Sequence, residues 1–187
     1  MSTSLPMKVF PLAQENVELV TRQVGLEIRE HLAKVIREMR EKVLGLDFKG
    51  VKVIDFSCAD EVIAKLVARV QSKELGDKFV VLLNLSESNK DNIDAALKIA
   101  KKNVLVRVGG QGWSVLGEVK DNVLDVLEIL MKEKEITTRE LRRDLQVKIN
   151  VLSNKMAILY ADCLIYREKK PEPEPGGGRQ FLYKALF

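Results

Sequence analysis

ITTRELRRDLQVKINVLSNKMAILYADCLIYRE, residues 136–168, is the stretch whose reading decides the fold of the C-terminal third. Thr137 and Thr138 stand ahead of Glu140 and Leu141, which predicts an N-cap and first turn for a short helix ending near Leu145. Gln146 and Val147 predict the turn. Ile149, Leu152, Met156 and Leu159 then recur at spacings of three, four and three, the apolar stripe of a second helix over about residues 148–161. Cys163 to Arg167 reads as a strand. Residues 171–178 alternate Pro and Glu and end in three glycines, so they predict an irregular tip, and 179–183 predict the returning strand.

This run resembles the winged helix-turn-helix domains of bacterial and archaeal transcription regulators. The matching features are Arg139-Glu-Leu in the first helix, Leu145 and Val147 at the turn, Leu152 and Leu159 in the second helix, and Leu164-Ile165 entering the wing. With a preceding amphipathic helix over 119–132, the resemblance covers residues 118–187. Cys163 stands where the family commonly has Gly, and Tyr160 where it has a polar residue. The resemblance implies a second helix that reads double-stranded DNA and a chain that binds paired half-sites as a homodimer. Lys148, Asn150, Ser153, Asn154 and Lys155, at its start and outer face, are side chains suited to base edges and phosphates. Lys169, Lys170 and Arg179 bracket the wing tip as candidate phosphate contacts. Glu172 and Glu174 on the tip oppose phosphate. Either the tip projects away from DNA, or the wing does not meet DNA at all.

Outward from this stretch, residues 7–12 predict a short strand at a sheet edge, because Pro11 lacks a ladder donor. Val17, Val20, Val24, Ile28, Leu32, Val35 and Met39 predict one long helix over about 16–42. His31, the only histidine, has no partner at ligand spacing and reads as a solvated surface residue. Strands are expected at 43–48, 51–54, 79–83 and 104–108. The unbroken apolar run Phe79-Val-Val-Leu-Leu suits a strand covered on both faces. A helix capped by Ser57 or Asp55 is expected, with Val62, Ile63, Leu66, Val67 and Val70 on its apolar face, and another over about 90–101 with Ile93, Ala96, Leu97, Ile99 and Ala100 inward. The alternation gives an α/β layer built around a parallel sheet. Gly109-Gly-Gln-Gly112 lacks the Lys-Ser/Thr of a phosphate loop and reads as a hairpin turn.

The order of these elements, and Val53-Ile-Asp-Phe-Ser-Cys-Ala-Asp-Glu61 in particular, resembles STAS-like domains, relatives of sulfate-transporter and anti-sigma-factor-antagonist domains. The resemblance covers about residues 5–117, within a domain expected over 1–117. In that family the strand ends in an Asp-Ser-Ser-Gly-like turn, and a partner kinase phosphorylates the second Ser. Asp55 matches the Asp and Ser57 the phosphorylated Ser, while Phe56 and Cys58 replace the first Ser and the Gly. Asp55, Ser57 and Asp60 are therefore the candidate ligand or phosphorylation site, for a regulatory protein or a small ligand. A helix N-cap is the plain reading of the same serine.

Composition narrows the function classes. A 46% hydrophobic and 31% charged chain of 187 residues has a core and room for two small domains. No apolar run approaches the roughly 18–20 residues of a membrane span, and no signal-peptide core is present, so a cytoplasmic protein is expected. Cys58 and Cys163 lie apart and outside any CxxC pair, which favours buried thiols over zinc or a disulfide. No Ser-His-Asp, Cys-His, cofactor or metal-ligand grouping points to a reaction, so the expectation is a non-enzyme without cofactor or metal. Residues 118–187 hold 13 basic and 12 acidic side chains. Phosphate binding then depends on arrangement, not totals. The reading is a STAS-like α/β domain followed by a winged helix-turn-helix in a DNA-binding transcription regulator. The alternative is an adaptor whose winged helix binds protein.

Overall fold

The computed structural model describes residues 5–110, 112–169 and 181–187. The chain divides into two compact units, Pro6–Val119 and one built on Lys120–Phe187. It is a mixed α/β protein with a parallel-rich sheet, as the alternation in the sequence predicts. No helix among the described residues is long and apolar enough to cross a membrane.

In the first unit, strands β1 (Met7–Pro11), β3 (Val43–Asp47), β5 (Phe79–Leu83) and β6 (Asn103–Val108) are parallel, in that order. β7 (Gly112–Gly117) closes the sheet antiparallel to β6. β1 lies at the edge, where Pro11 is tolerated. β5 is central and buried along its whole length, and each such large apolar side chain contributes about 1.5–3 kcal/mol. Helices α1 (Arg22–Glu38) and α4 (Glu87–Ile99) follow β1 and β5. Between β3 and β5 run α2 (Phe56–Ala59), a π-helical turn Asp60–Ala64 and α3 (Lys65–Gln71). The connections all step the same way along the sheet, so right-handed crossovers place the helices on one face, where they pack on one another.

Two expectations need correction here. The long helix begins at Arg22, not near residue 16, because Glu18–Leu19 forms a short strand (β2) that pairs parallel with β4, Val53–Ile54. Thr21 then caps α1 in a left-handed conformation, φ 74°. Ile99 faces outward, 73% exposed, while Ile93, Ala96 and Leu97 are buried as expected. Asn89, only 1% exposed, also belongs to the inner face of α4. Its carboxamide accepts from Ile54 N (3.1 Å) and donates to Val51 O (3.4 Å), satisfying the free edge of β4.

The second unit has α5 (Asp121–Glu133), β8 (Glu135–Thr137), α6 (Thr138–Leu145), α7 (Ile149–Ala161), β9 (Tyr166–Lys169) and β10 (Phe181–Lys184). The three strands form an antiparallel sheet in the order β8-β10-β9. α6 opens on a capping box: Thr137 Oγ1 accepts from Glu140 N (3.3 Å), and Glu140 Oε2 accepts from Thr137 N (2.7 Å). Gln146 turns the chain with φ 53°, and Leu152, Met156 and Leu159 face the core. α7 ends in a Schellman motif, with Cys163 N donating to Tyr160 O and Leu164 N to Leu159 O. Cys163 therefore takes φ 55°, the conformation that favours Gly at this place. This motif also corrects the strand expected from Cys163: residues 163–165 belong to the helix end, and β9 starts at Tyr166.

Candidate functional site

The turn after β4 is held by Asp55. Its backbone N donates to Leu19 O (3.0 Å), Oδ1 accepts from Cys58 N (2.7 Å) and Oδ2 from Thr21 N (2.9 Å). Asp55 thus caps α2 and secures the strained Thr21, a costly conformation for a β-branched residue. Ser57 is half-buried at the second position of α2, two residues after the N-cap Asp55, and makes no side-chain cap, so of the two expected caps the aspartate is the one used. The helix end that an anion would seek is already occupied by a carboxylate. Asp55→Ala is expected to cost about 1–2 kcal/mol in urea denaturation, and Ser57→Ala less than about 0.5. The reverse order would contradict the assignment of the cap.

Asp60 is likewise engaged. Arg22 reaches it at 2.8 Å and Lys65 at 3.5 Å. Beside it, Glu61 is only 4% exposed and meets three cations: Arg22 Nη1 at 2.6 Å, Arg29 and Lys65. Burial works to raise the Glu61 pKa. Hydrogen bonds from Lys65 and Arg22, with the charge of Lys65 and Arg29, outweigh it and hold the carboxyl below its ordinary range. This contact needs a close approach: a Cβ on Gly25 of α1 would lie 2.7 Å from Glu61 Cβ. Asp60 therefore belongs, with Glu61, to a charge clasp joining α1 to the π-helical turn, while Asp55 serves as the cap of the turn before it. Cys58 is buried beneath it, and burial, with Asp55 and Glu61 nearby, pushes its thiol up to about 12, leaving it protonated and inert.

His31 is exposed, pairs with Glu15 (3.0 Å) and stacks edge-on against Phe10.

In the second unit, Lys148 is the exposed N-cap residue of α7, and neither a capping side chain nor an acidic residue occupies the first turn. Asn150 and Asn154 are exposed and Ser153 is half-buried. Lys155 departs from its expected place on the outer face. Its side chain is 16% exposed and binds Asp125 of α5 at 2.6 Å, because it lies three residues after buried Leu152 and four before buried Leu159, beside the inward stripe of α7. Lys169 is exposed at the end of β9, while Lys170 and Arg179 lie outside the described residues. Arg167 is not a surface cation. Its guanidinium lies 4.0 Å from the Tyr160 ring centroid and 4.7 Å from that of Phe181.

The exposed pair Arg142 and Arg143 on α6 was not among the residues expected from sequence. Their signal is phase: they fall between Leu141 and Leu145, on the side away from the apolar stripe. No protein-family model matches the chain, and no curated protein matches its sequence.

Proposed function

We propose that Lys120–Phe187 is a winged helix-turn-helix module that binds double-stranded DNA. Pro6–Val119 is, in this reading, a STAS-like sensory or partner-binding domain. The chain is then a transcription regulator that acts in the cytoplasm as a homodimer. The observation that carries the reading is the start of α7. Lys148 and Asn150 are exposed there beside a helix N-terminus without a side-chain cap, with Asn154 exposed one turn further on, following α6 with its exposed Arg142 and Arg143. Backbone N–H groups and helix dipole at such an end favour phosphate, and the asparagines suit adenine edges. The order helix, turn, helix, then antiparallel hairpin supports the same architecture.

Under this proposal Asn154→Ala costs about 1–3 kcal/mol on a preferred sequence and little on random DNA. Lys148→Ala weakens all sequences and flattens the salt slope by about one unit. Lys155→Ala leaves that slope unchanged, because its ammonium already answers Asp125. Titration of labelled duplexes at several salt concentrations separates the three. Equal losses for Asn154→Ala on specific and random DNA contradict base reading.

A second reading, a protein-binding adaptor, is favoured by the outer face of α7 itself. Asn150, Val151, Asn154 and Ala157 are exposed and carry no charge, with Val151 43% exposed. On that reading the same variants lose a protein partner and leave DNA affinity weak and sequence-independent.

A further inference from the structure

Outside the carboxyl ends of β5 and β6 lies an open cavity of about 150 Å³, lined by Leu83, Asn84, Arg107 and Gly109. We propose that it binds a small organic monocarboxylate with a compact apolar body, paired to the Arg107 guanidinium. The site is distinct from the Asp55–Ser57–Asp60 turn, and it stands whether or not α7 reads DNA.

The position is the one at which open α/β sheets hold ligands, beyond the carboxyl ends of parallel strands. The lining divides by chemistry. Leu83, 8% exposed, supplies an apolar floor, and Arg107 and Asn84 supply polar rims. Arg107 Nη2 donates to Gly110 O at 3.3 Å, which sets the planar guanidinium against the hairpin. A guanidinium carries five N–H donors in a fork that matches a carboxylate. Asn84 sits in the left-handed conformation (φ 53°), and its Nδ2 donates to Asp47 Oδ1 at 2.8 Å, so its carboxamide is oriented from behind. Gly109 and Gly110 leave the mouth open, since a Cβ at either position would meet nothing within 4 Å.

Size and charge select the ligand. A cavity of this volume holds a body about as large as benzene. Asp47 stands one hydrogen bond behind Asn84, and its negative charge opposes a doubly charged anion such as phosphate. Attraction to Arg107 and repulsion by Asp47 both scale with the ligand's charge, but the cost of desolvation rises faster, so a monoanion enters this partly apolar cavity more readily than a dianion. The apolar floor favours a carboxylate with a short hydrocarbon or ring over a bare inorganic ion.

The only tryptophan of the chain reports on this place. Trp113 lies opposite Arg107 in the β6–β7 register, so its fluorescence is the signal in a titration of the full chain. The probes are benzoate, butyrate, benzamide and inorganic phosphate, with calorimetry as a second reading. The expected result is saturable binding of benzoate or butyrate, with benzamide and phosphate weaker by about tenfold or more. Arg107→Met weakens the carboxylate by a similar factor, and Arg107→Lys restores part of it. Gly110→Glu, which places a negative charge at the open mouth, weakens it independently should the arginine variants lose their thermal transition. Absence of saturable binding by both carboxylates overturns the proposal. So does benzamide binding as well as benzoate, or unchanged binding in Arg107→Met and Gly110→Glu.

Discussion

Glu61→Gln is expected to lower the stability of the protein by about 3 kcal/mol. Removing one member of a buried ion pair costs roughly 3–5 kcal/mol, because the partner charges are left desolvated. The lower end applies, since Arg22 and Lys65 are 55% and 44% exposed and regain water, whereas Arg29 at 15% does not. The neutral amide keeps the shape of the side chain, so the loss measures charge and not volume. The same residue fixes a pH dependence. Its folded pKa lies below the ordinary 4.5, so its contribution is present above that value and is lost as pH falls through the folded pKa. Asp94, for which burial is likewise outweighed by Lys98 and Gly117 N, acts in the same direction. Urea denaturation from pH 7 downward should show a shallower acid loss in Glu61→Gln than in the wild type. Parallel curves would contradict a lowered pKa for Glu61 in the folded protein.

Gly117→Ala is expected to cost still more for its size. The residue has φ 89°, and a Cβ there would collide with the Lys102 carbonyl oxygen and approach Leu97 Cβ to 2.9 Å. The backbone must also keep Gly117 N bonded to Asp94 Oδ1 (2.8 Å) and stay paired with Asn103 at the end of the β6–β7 ladder. Backbone strain and overpacking contribute about 1–3 kcal/mol each, so a loss of about 2–6 kcal/mol is expected in the thermal or urea transition. Gly110→Ala, with open space at the Cβ position, provides the comparison and should change stability by less than about 0.5 kcal/mol. Similar effects for both would contradict the close approach at Gly117.

Where apolar periodicity ran over several turns, the fold was legible in the sequence. Leu152, Met156 and Leu159 marked the buried stripe of α7, and Phe79 to Leu83 marked the doubly covered central strand. Short elements were not legible. β2 and β4 are two residues each, and Glu18 and Val53, which face each other across them, carry no alternation long enough to recognise. Val17 and Val20 happened to fall in phase with α1 and hid its true start. β8 precedes α6 without a break, so Ile136 and Thr137 read as a helix lead-in. At the candidate sites the residue types were visible, but partners distant in sequence decided their roles. Lys155 looks like a phosphate contact until Asp125, thirty residues earlier, is placed beside it. Ser57 looks like a cap until Asp55 is seen bonded to both Cys58 N and Thr21 N. The cavity at Arg107 escaped notice because Asn84 and Gly109 belong to different loops, and only the parallel pairing of β5 with β6 joins them.

The DNA-reading proposal is tested most directly by wild-type binding to a library of genomic fragments at about 50 and about 200 mM salt. The account predicts that a small set of fragments is retained at the higher salt, at least about 10³-fold more tightly than bulk DNA. These fragments should share a half-site repeated at the spacing of a helical turn or its multiples. Uniform, weak binding across the library that disappears at the higher salt would contradict it and leave α7 as a protein-binding surface.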